Sequence, residues 1–155
     1  MKEDFIKIKE LLDKNNIKYK LYEHEPVFTS EDAARVRGAD LKEGAKSMII
    51  RSDGKFYNFV LSASRKIDWS KVKQILQTKS VSFATPEEVK EAINCEIGSV
   101  PPFGIIYGLK QYCDPHLLEN EEIEFNAGLH TTSIRMKSKD WFNLLKPEIA
   151  DFTKD

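Results

Sequence analysis

The chain is poor in the residues from which many sites are built: 155 residues hold two cysteines, three histidines, six prolines and seven glycines. Cys95 and Cys113 lie in unrelated contexts and match no zinc spacing, so buried or free thiols are expected. Three histidines without clustered partners argue against a structural metal. No run approaches the roughly 20 apolar residues that cross a bilayer, and MKEDFIKIKELLDK lacks a signal-peptide core, so a cytoplasmic protein is expected. Neither sign of charge dominates. Lys and Arg number 24 and Asp and Glu 25, which argues against a general nucleic-acid coat. There is no G-x-S-x-G elbow, P-loop, H-E-x-x-H or Rossmann fingerprint, and no cofactor is implied.

What is present fits one α+β domain over residues 1–155. At this length a chain buries roughly 70% of its unfolded surface, and 41% hydrophobic with 32% charged residues is a globular composition. Phe5, Ile8, Leu11 and Leu12 fall at helical spacing, stopped by Asn15-Asn16. IKYKLYEHE alternates Ile17, Tyr19 and Leu21 against polar neighbours, predicting a strand with one buried face. TSEDAARVRG predicts a short helix capped by Thr29 or Ser30. AKSMIIRSDGKFYNFVLSA predicts a hairpin turning at Asp53-Gly54. Further helices are predicted behind Asp68, behind Thr85 with Pro86 and a Glu88 capping box, and behind Ser138. KSVSFA, KQYCD, EIEFNAG and TTSIRMK predict strands. Their order is no clean βαβ alternation, which predicts a curved, mostly antiparallel or mixed sheet with flanking helices.

Three features could carry chemistry. Lys46, at the entrance to a strand, can hold an anion as a compact charge on a flexible stem, although position alone favours an ordinary solvated strand-end lysine. His130, after Asn126-Ala127-Gly128, sits where a turn could aim an imidazole. GSVPPFG, residues 98–104, is stiffened by Pro101 and Pro102, neither of which has an N–H, while Gly98, Ser99 and Val100 can offer amides to a carbonyl oxygen. A local basic face could also form from Arg35, Arg37, Lys42, Lys46, Arg51, Arg65 and Lys66.

In their order along the chain, EHEPVFTSEDAARVRG, GAKSMIIR, FATPEEV, GSVPPFG and FNAGLH resemble the YbaK/prolyl-tRNA synthetase editing-domain family. The resemblance runs from about Tyr19 to Trp141. It implies a curved α+β fold and a hydrolase that removes wrongly attached amino acids from tRNA. The implied partners are the 3′ acceptor end of an aminoacyl-tRNA and an aminoacyl-tRNA synthetase, with no DNA and no membrane. Lys46 matches the family's signature lysine, expected at the tRNA 3′-terminal adenosine and its phosphate. With Lys46, the implied catalytic group comprises His130, Gly98 and Ser99. Substrate binding is implied for Phe28, Thr29, Met48, Val100, Pro101, Pro102, Phe103, Gly104, Asn126 and Gly128.

The chain departs from the family at two places. Cysteine-clearing members carry a Gly-Gly-Lys type turn where this chain has Asn126-Ala127-Gly128-Leu129-His130. Alanine-clearing members tend to have Lys-Asn where this chain has Lys46-Ser47. Alanine, serine, threonine and cysteine therefore stay open as the amino acid removed, with tRNA(Pro) the expected carrier. Phe28, Met48, Leu61, Phe103 and Ile105 are expected to wall a small pocket. The alternative is a non-catalytic tRNA- or nucleotide-binding module working beside a synthetase.

Overall fold

The computed structural model describes residues 2–26, 35 and 40–155. Helix α1 (Lys2–Lys14) carries Glu3 and Asp4 in its first turn, the favourable end of the helix dipole for acids. Ile8 and Leu12, one turn apart, are fully buried. The helix ends as expected, with Asn16 at φ 55° and the Ile17 N–H returning to the Leu12 carbonyl at 3.0 Å. Its buried face packs on β7.

Ten strands follow: β1 (Tyr19–Glu23), β2 (Ala45–Ser52), β3 (Lys55–Ser62), β4 (Lys66–Ile67), β5 (Ser82–Phe83), β6 (Lys110–Cys113), β7 (Glu122–Leu129), β8 (Thr132–Lys137), β9 (Glu148–Ile149) and β10 (Thr153–Lys154). The β2–β3 hairpin turns on Asp53 (φ 50°) and Gly54 (φ 78°), both left-handed as a tight hairpin requires. Helix α2 (Trp69–Leu76) is capped by Asp68, which accepts from the Ser70 and Lys71 amides. Helix α3 (Pro86–Ile93) has the full Thr85–Glu88 capping box with Pro86 in its first turn. Helix α4 (Ser138–Leu145) follows β8.

The strands form three sheets. One has the order β5-β2-β3-β6-β9, antiparallel at β5-β2-β3 and parallel from β3 through β6 to β9. A second is antiparallel, β1-β8-β7, and a third pairs β4 with β10. This is the α+β architecture with mixed sheets and flanking helices. The largest core, with Ile8, Leu12, Val60, Phe103, Phe125, Ile134 and Trp141, joins the first two sheets to α1 and α4. A second core lies on the other face of β2 and β3, under α2, and a third joins Ile49 to α3, Cys95 and Val100.

Several local expectations are corrected. Leu21 is exposed rather than inward, because β1 is the edge strand of its sheet and only Tyr19 and Tyr22 are half-buried. Ser138 does not cap α4. Its hydroxyl donates to the Asn120 carbonyl at 2.5 Å, and the cap position falls to Lys137 without a side-chain bond. Asn126-Ala127-Gly128 is not a turn but the bulged end of β7, with Gly128 at φ 90°, and the hairpin turns one step later at His130-Thr131. The helix predicted over TSEDAARVRG, with Phe28, Thr29 and Arg37, lies outside the described residues apart from helical Arg35.

Candidate active site

The start of β2 touches β7 through a parallel bridge between Gly44 and Glu124. Arg135 on β8 clamps this junction. Its guanidinium reaches Glu122, Glu124 and Glu43 at 2.5, 2.7 and 2.9 Å, taking one carboxylate from the turn before β2 and two from β7. Burial opposes its charge, but the carboxylates outweigh that and raise its pKa further.

The loop 96–104 straps β2 to β7 beyond this junction. Glu96 to Ser99 form a tight turn closed by the Ser99 N–H on the Glu96 carbonyl at 3.1 Å, with Gly98 at φ 87° where a side chain would be strained. Asn126 Nδ2 donates to the Gly98 carbonyl at 2.6 Å, and Ser47 Oγ to the Pro101 carbonyl at 3.2 Å. The Pro102 carbonyl accepts two buried donors, Gln111 Nε2 at 2.9 Å and Trp141 Nε1 at 3.0 Å. Asn58 completes the support: its Nδ2 donates to Ser47 Oγ at 2.8 Å, and its Oδ1 accepts from Gln111 at 2.9 Å. Gly104 lies so close that a Cβ there would meet the Asn58 Cβ and the Leu109 carbonyl at 3.2 Å each.

Of the implied catalytic residues, Gly98, Ser99 and His130 come together. His130 Nε2 lies 3.1 Å from Glu96 Oε2, so the hairpin tip leans on the loop. The Ser99 amide and hydroxyl are both spent on the Glu96 carbonyl. Among the described residues the Gly98 and Val100 amides have no partner. Val100 and Phe103 are buried in the core beneath the loop, Phe103 against Phe125 at 5.4 Å between ring centroids, and Leu61 is buried too. Ile105 points to solvent at 62% exposure.

Lys46 and Met48 do not share this crevice. Side chains alternate along a strand, so Ala45, Ser47 and Ile49 face the loop while Lys46, Met48 and Ile50 face the α2 side. There Lys46 and Met48 line a cleft of about 240 Å³ with Lys66, Ile67, Trp69 and Phe83. Lys46 Nζ reaches the Arg65 carbonyl at 3.5 Å. The two faces meet at the edge of β2. Strand β5 pairs with β2 only at Ile50 and Arg51, so among the described residues Ala45–Met48 has a ladder partner on one side only.

Neither cysteine is placed to be a nucleophile. Burial raises the Cys95 thiol to about 11 and the Cys113 thiol to about 12. Asp114, His116 and Asp151 form a cluster of metal-type ligands, but Lys71 holds both oxygens of Asp151 at 3.2 Å. The supporting polar residues Asn58, Gln111 and Trp141 escaped the sequence reading. A buried amide inside a strand run was the signal available for the first two.

A family model for the aminoacyl-tRNA editing domain matches residues 24–144. The chain belongs to the aminoacyl-tRNA editing domain family. It is 32% identical to the multifunctional Ser/Thr-tRNA deacylase ProXp-y of Escherichia coli K12, over 93% of this chain and 89% of that protein. It is 33% identical to proline–tRNA ligase of Bacillus licheniformis over 59% of this chain, which corresponds to only 16% of the ligase. In three dimensions it matches the crystal structure of a candidate trans-editing enzyme for prolyl-tRNA synthetase with a TM-score of 0.83 at 25% identity, over 98% of both chains.

Proposed function

We propose that the protein is a trans-editing aminoacyl-tRNA deacylase. It hydrolyses the ester between a small amino acid (alanine, serine, threonine or cysteine) and the 3′-terminal ribose of a mischarged tRNA, with tRNA(Pro) as the first candidate. The likeness to a Ser/Thr-tRNA deacylase along 89% of that enzyme's length carries the reading. On this reading the protein works in the cytoplasm, beside the synthetase whose errors it clears. Separately, no helix among the described residues is long and apolar enough to cross a membrane.

An aminoacyl ester is already activated, so the reaction needs no enzyme nucleophile, in keeping with two protonated, buried thiols. Water adds to the ester carbonyl carbon, and the developing oxyanion is met by the Gly98 and Val100 amides. Collapse breaks the bond to the ribose oxygen. That oxygen takes up one proton of the attacking water, relayed by the neighbouring ribose hydroxyl or a water held at His130; the second proton passes to solvent, and the amino acid leaves as its carboxylate. Each preorganised amide contributes about 2.7–4 kcal/mol to such a transition state. Lys46 holds the terminal nucleotide from across the β2 edge, and the stiff Pro101-Pro102 segment limits the pocket to small side chains. Asn126, Gly128, Pro101 and Gly104 shape or brace that pocket, while Met48 faces the cleft beside Lys46.

The test is deacylation of tRNA(Pro) charged in turn with Ala, Cys, Ser, Thr and Pro. Rapid loss of one or more small amino acids, with prolyl-tRNA spared, is expected. Lys46→Ala should lower kcat/KM by about 10- to 100-fold, the scale of a lost hydrogen bond to a charged group. Full activity in Lys46→Ala would remove that lysine from the mechanism, and no hydrolysis of any substrate would favour a binding module.

A further inference from the structure

The cleft on the α2 side of β2 combines two surfaces. Its walls are aromatic and apolar: Trp69 and Phe83 meet edge-to-face with centroids 4.8 Å apart, above Met48 and Ile67. Phe83 stays 42% exposed, a large ring with one side uncovered. Its rim is basic. Lys46 and Lys66 line it, and Lys66 sits directly opposite Lys154 in the β4–β10 pair. Like charges directly opposed across a ladder repel. Among the described residues neither Lys66 nor Lys154 has an ion-pair partner. The nearby carboxylates are engaged elsewhere: Asp68 accepts the Ser70 and Lys71 amides, and Asp155 pairs with Arg65 at 2.9 Å. At about 240 Å³ the cleft falls below the roughly 300–1,000 Å³ of a pocket that encloses a whole ligand. It suits one ring of a longer, anionic molecule.

We propose that this cleft seats an unpaired nucleotide near the 3′ end of the RNA. A base packs against Trp69 and Phe83, and the flanking phosphates lie at Lys66 and Lys154. Base–aromatic stacking with phosphate–lysine contacts is how proteins hold single-stranded nucleic acid with little sequence preference. The stretch Ala45–Met48 of β2, which has a ladder partner on one side only among the described residues, is where the terminal ribose passes from here to the loop 96–104. The position near the 3′ end, the path to the loop 96–104 and the identity of the RNA as a charged tRNA rest on the deacylase reading; the base and phosphate contacts of the subsite do not.

The test uses the intact protein and a short, uncharged single-stranded RNA ending in CCA. Trp141 is fully buried, so Trp69 is the indole that a ligand can reach. Binding should quench tryptophan fluorescence. The Lys66→Glu/Lys154→Glu double variant should bind about tenfold more weakly at low salt, and the slope of log K against log salt should become shallower by about 1.4, for two single-strand phosphates. Trp69→Leu should lose about 5- to 100-fold in affinity, and Trp69→Phe should recover most of it. Melting curves establish that each variant is folded. On aminoacyl-tRNA the double variant should raise KM and leave kcat unchanged.

RNA binding without ester hydrolysis would support the subsite while removing the deacylase reading. Hydrolysis with KM indifferent to Lys66 and Lys154 would overturn the subsite and leave the deacylase standing. Absence of quenching by RNA, or lysine-dependent binding of polyglutamate in its place, would overturn it as well.

Discussion

The two faces of β2 are built on opposite plans. On the loop face, the carbonyls of Gly98, Pro101 and Pro102 are each held by a named donor, and Ser47, Asn58 and Gln111 form one continuous hydrogen-bonded brace. On the cleft face, Lys46 makes a 3.5 Å contact to a carbonyl, and Lys66 and Lys154 repel each other across a short ladder. One face fixes atoms in place, and the other offers charge and ring surface. On the proposed function this division separates orienting the ester from capturing the RNA. Damage to the first should appear in kcat and damage to the second in KM.

The strongest way to break the comparison is to break the junction both faces share. Arg135→Met would leave Glu43, Glu122 and Glu124 together without their cation, with Glu124 buried. A buried pair that loses one partner costs about 3–5 kcal/mol, so the melting temperature should fall by roughly 6–20 °C. Both kcat and KM should suffer, because neither face keeps its position relative to β7. A variant with unchanged melting would mean that the carboxylates find other partners.

The loop face alone is broken by Trp141→Phe with Gln111→Leu. The two changes remove both donors from the buried Pro102 carbonyl; Gln111→Leu also takes the donor from Asn58 Oδ1, and Trp141→Phe leaves a small void where the indole was, which adds to the stability loss. An unsatisfied buried carbonyl costs about 1–3 kcal/mol. Denaturant unfolding measures that loss, and kcat should fall with the affinity for uncharged RNA unchanged. Affinity falling in step with kcat would show that the faces are not separate.

These braces also mark where sequence reasoning ends. The Asp53-Gly54 turn, the Asp68 cap and the Thr85–Glu88 box are legible because each is decided within four residues by backbone chemistry. Ser138 has the same local credentials as a cap, yet its hydroxyl is taken by carbonyls 17 and 18 residues earlier in the chain. The loop 96–104 was legible as stiff and glycine-dependent, but its donors come from β2, β6, β7 and α4. Alternation in AKSM already put Lys46 and Ser47 on opposite faces. Which face meets the Pro-Pro loop depends on sheet topology, and the family resemblance groups these residues without saying so.

A pH series sharpens the contrast at smaller scale. Glu88 accepts the Thr85 amide at 2.9 Å and lies 3.2 Å from Arg51 at the far end of β2, and its pKa is lowered from 4.5. A carboxyl with a lowered folded pKa contributes stability that is complete above its unfolded value and is lost as pH falls through the folded one. The melting difference between wild type and Glu88→Gln should therefore be constant near neutrality and shrink below about pH 4.5.

The smallest effect has the opposite sign. Lys154→Glu places an acid opposite Lys66, turning a repelling cross-strand pair into an attracting one. Cross-strand pairs of this kind are worth about 0.2–1 kcal/mol, so melting should rise on the order of 1–2 °C at low salt and return towards wild type as salt screens the pair. Affinity for the CCA-ending RNA should fall in the same variant. A gain in stability coupled to a loss of binding is the signature of charge kept for a ligand. Were the variant to melt lower than wild type at every salt concentration, the two lysines would be seated by contacts of their own, and the cleft face would be as tightly held as the loop face.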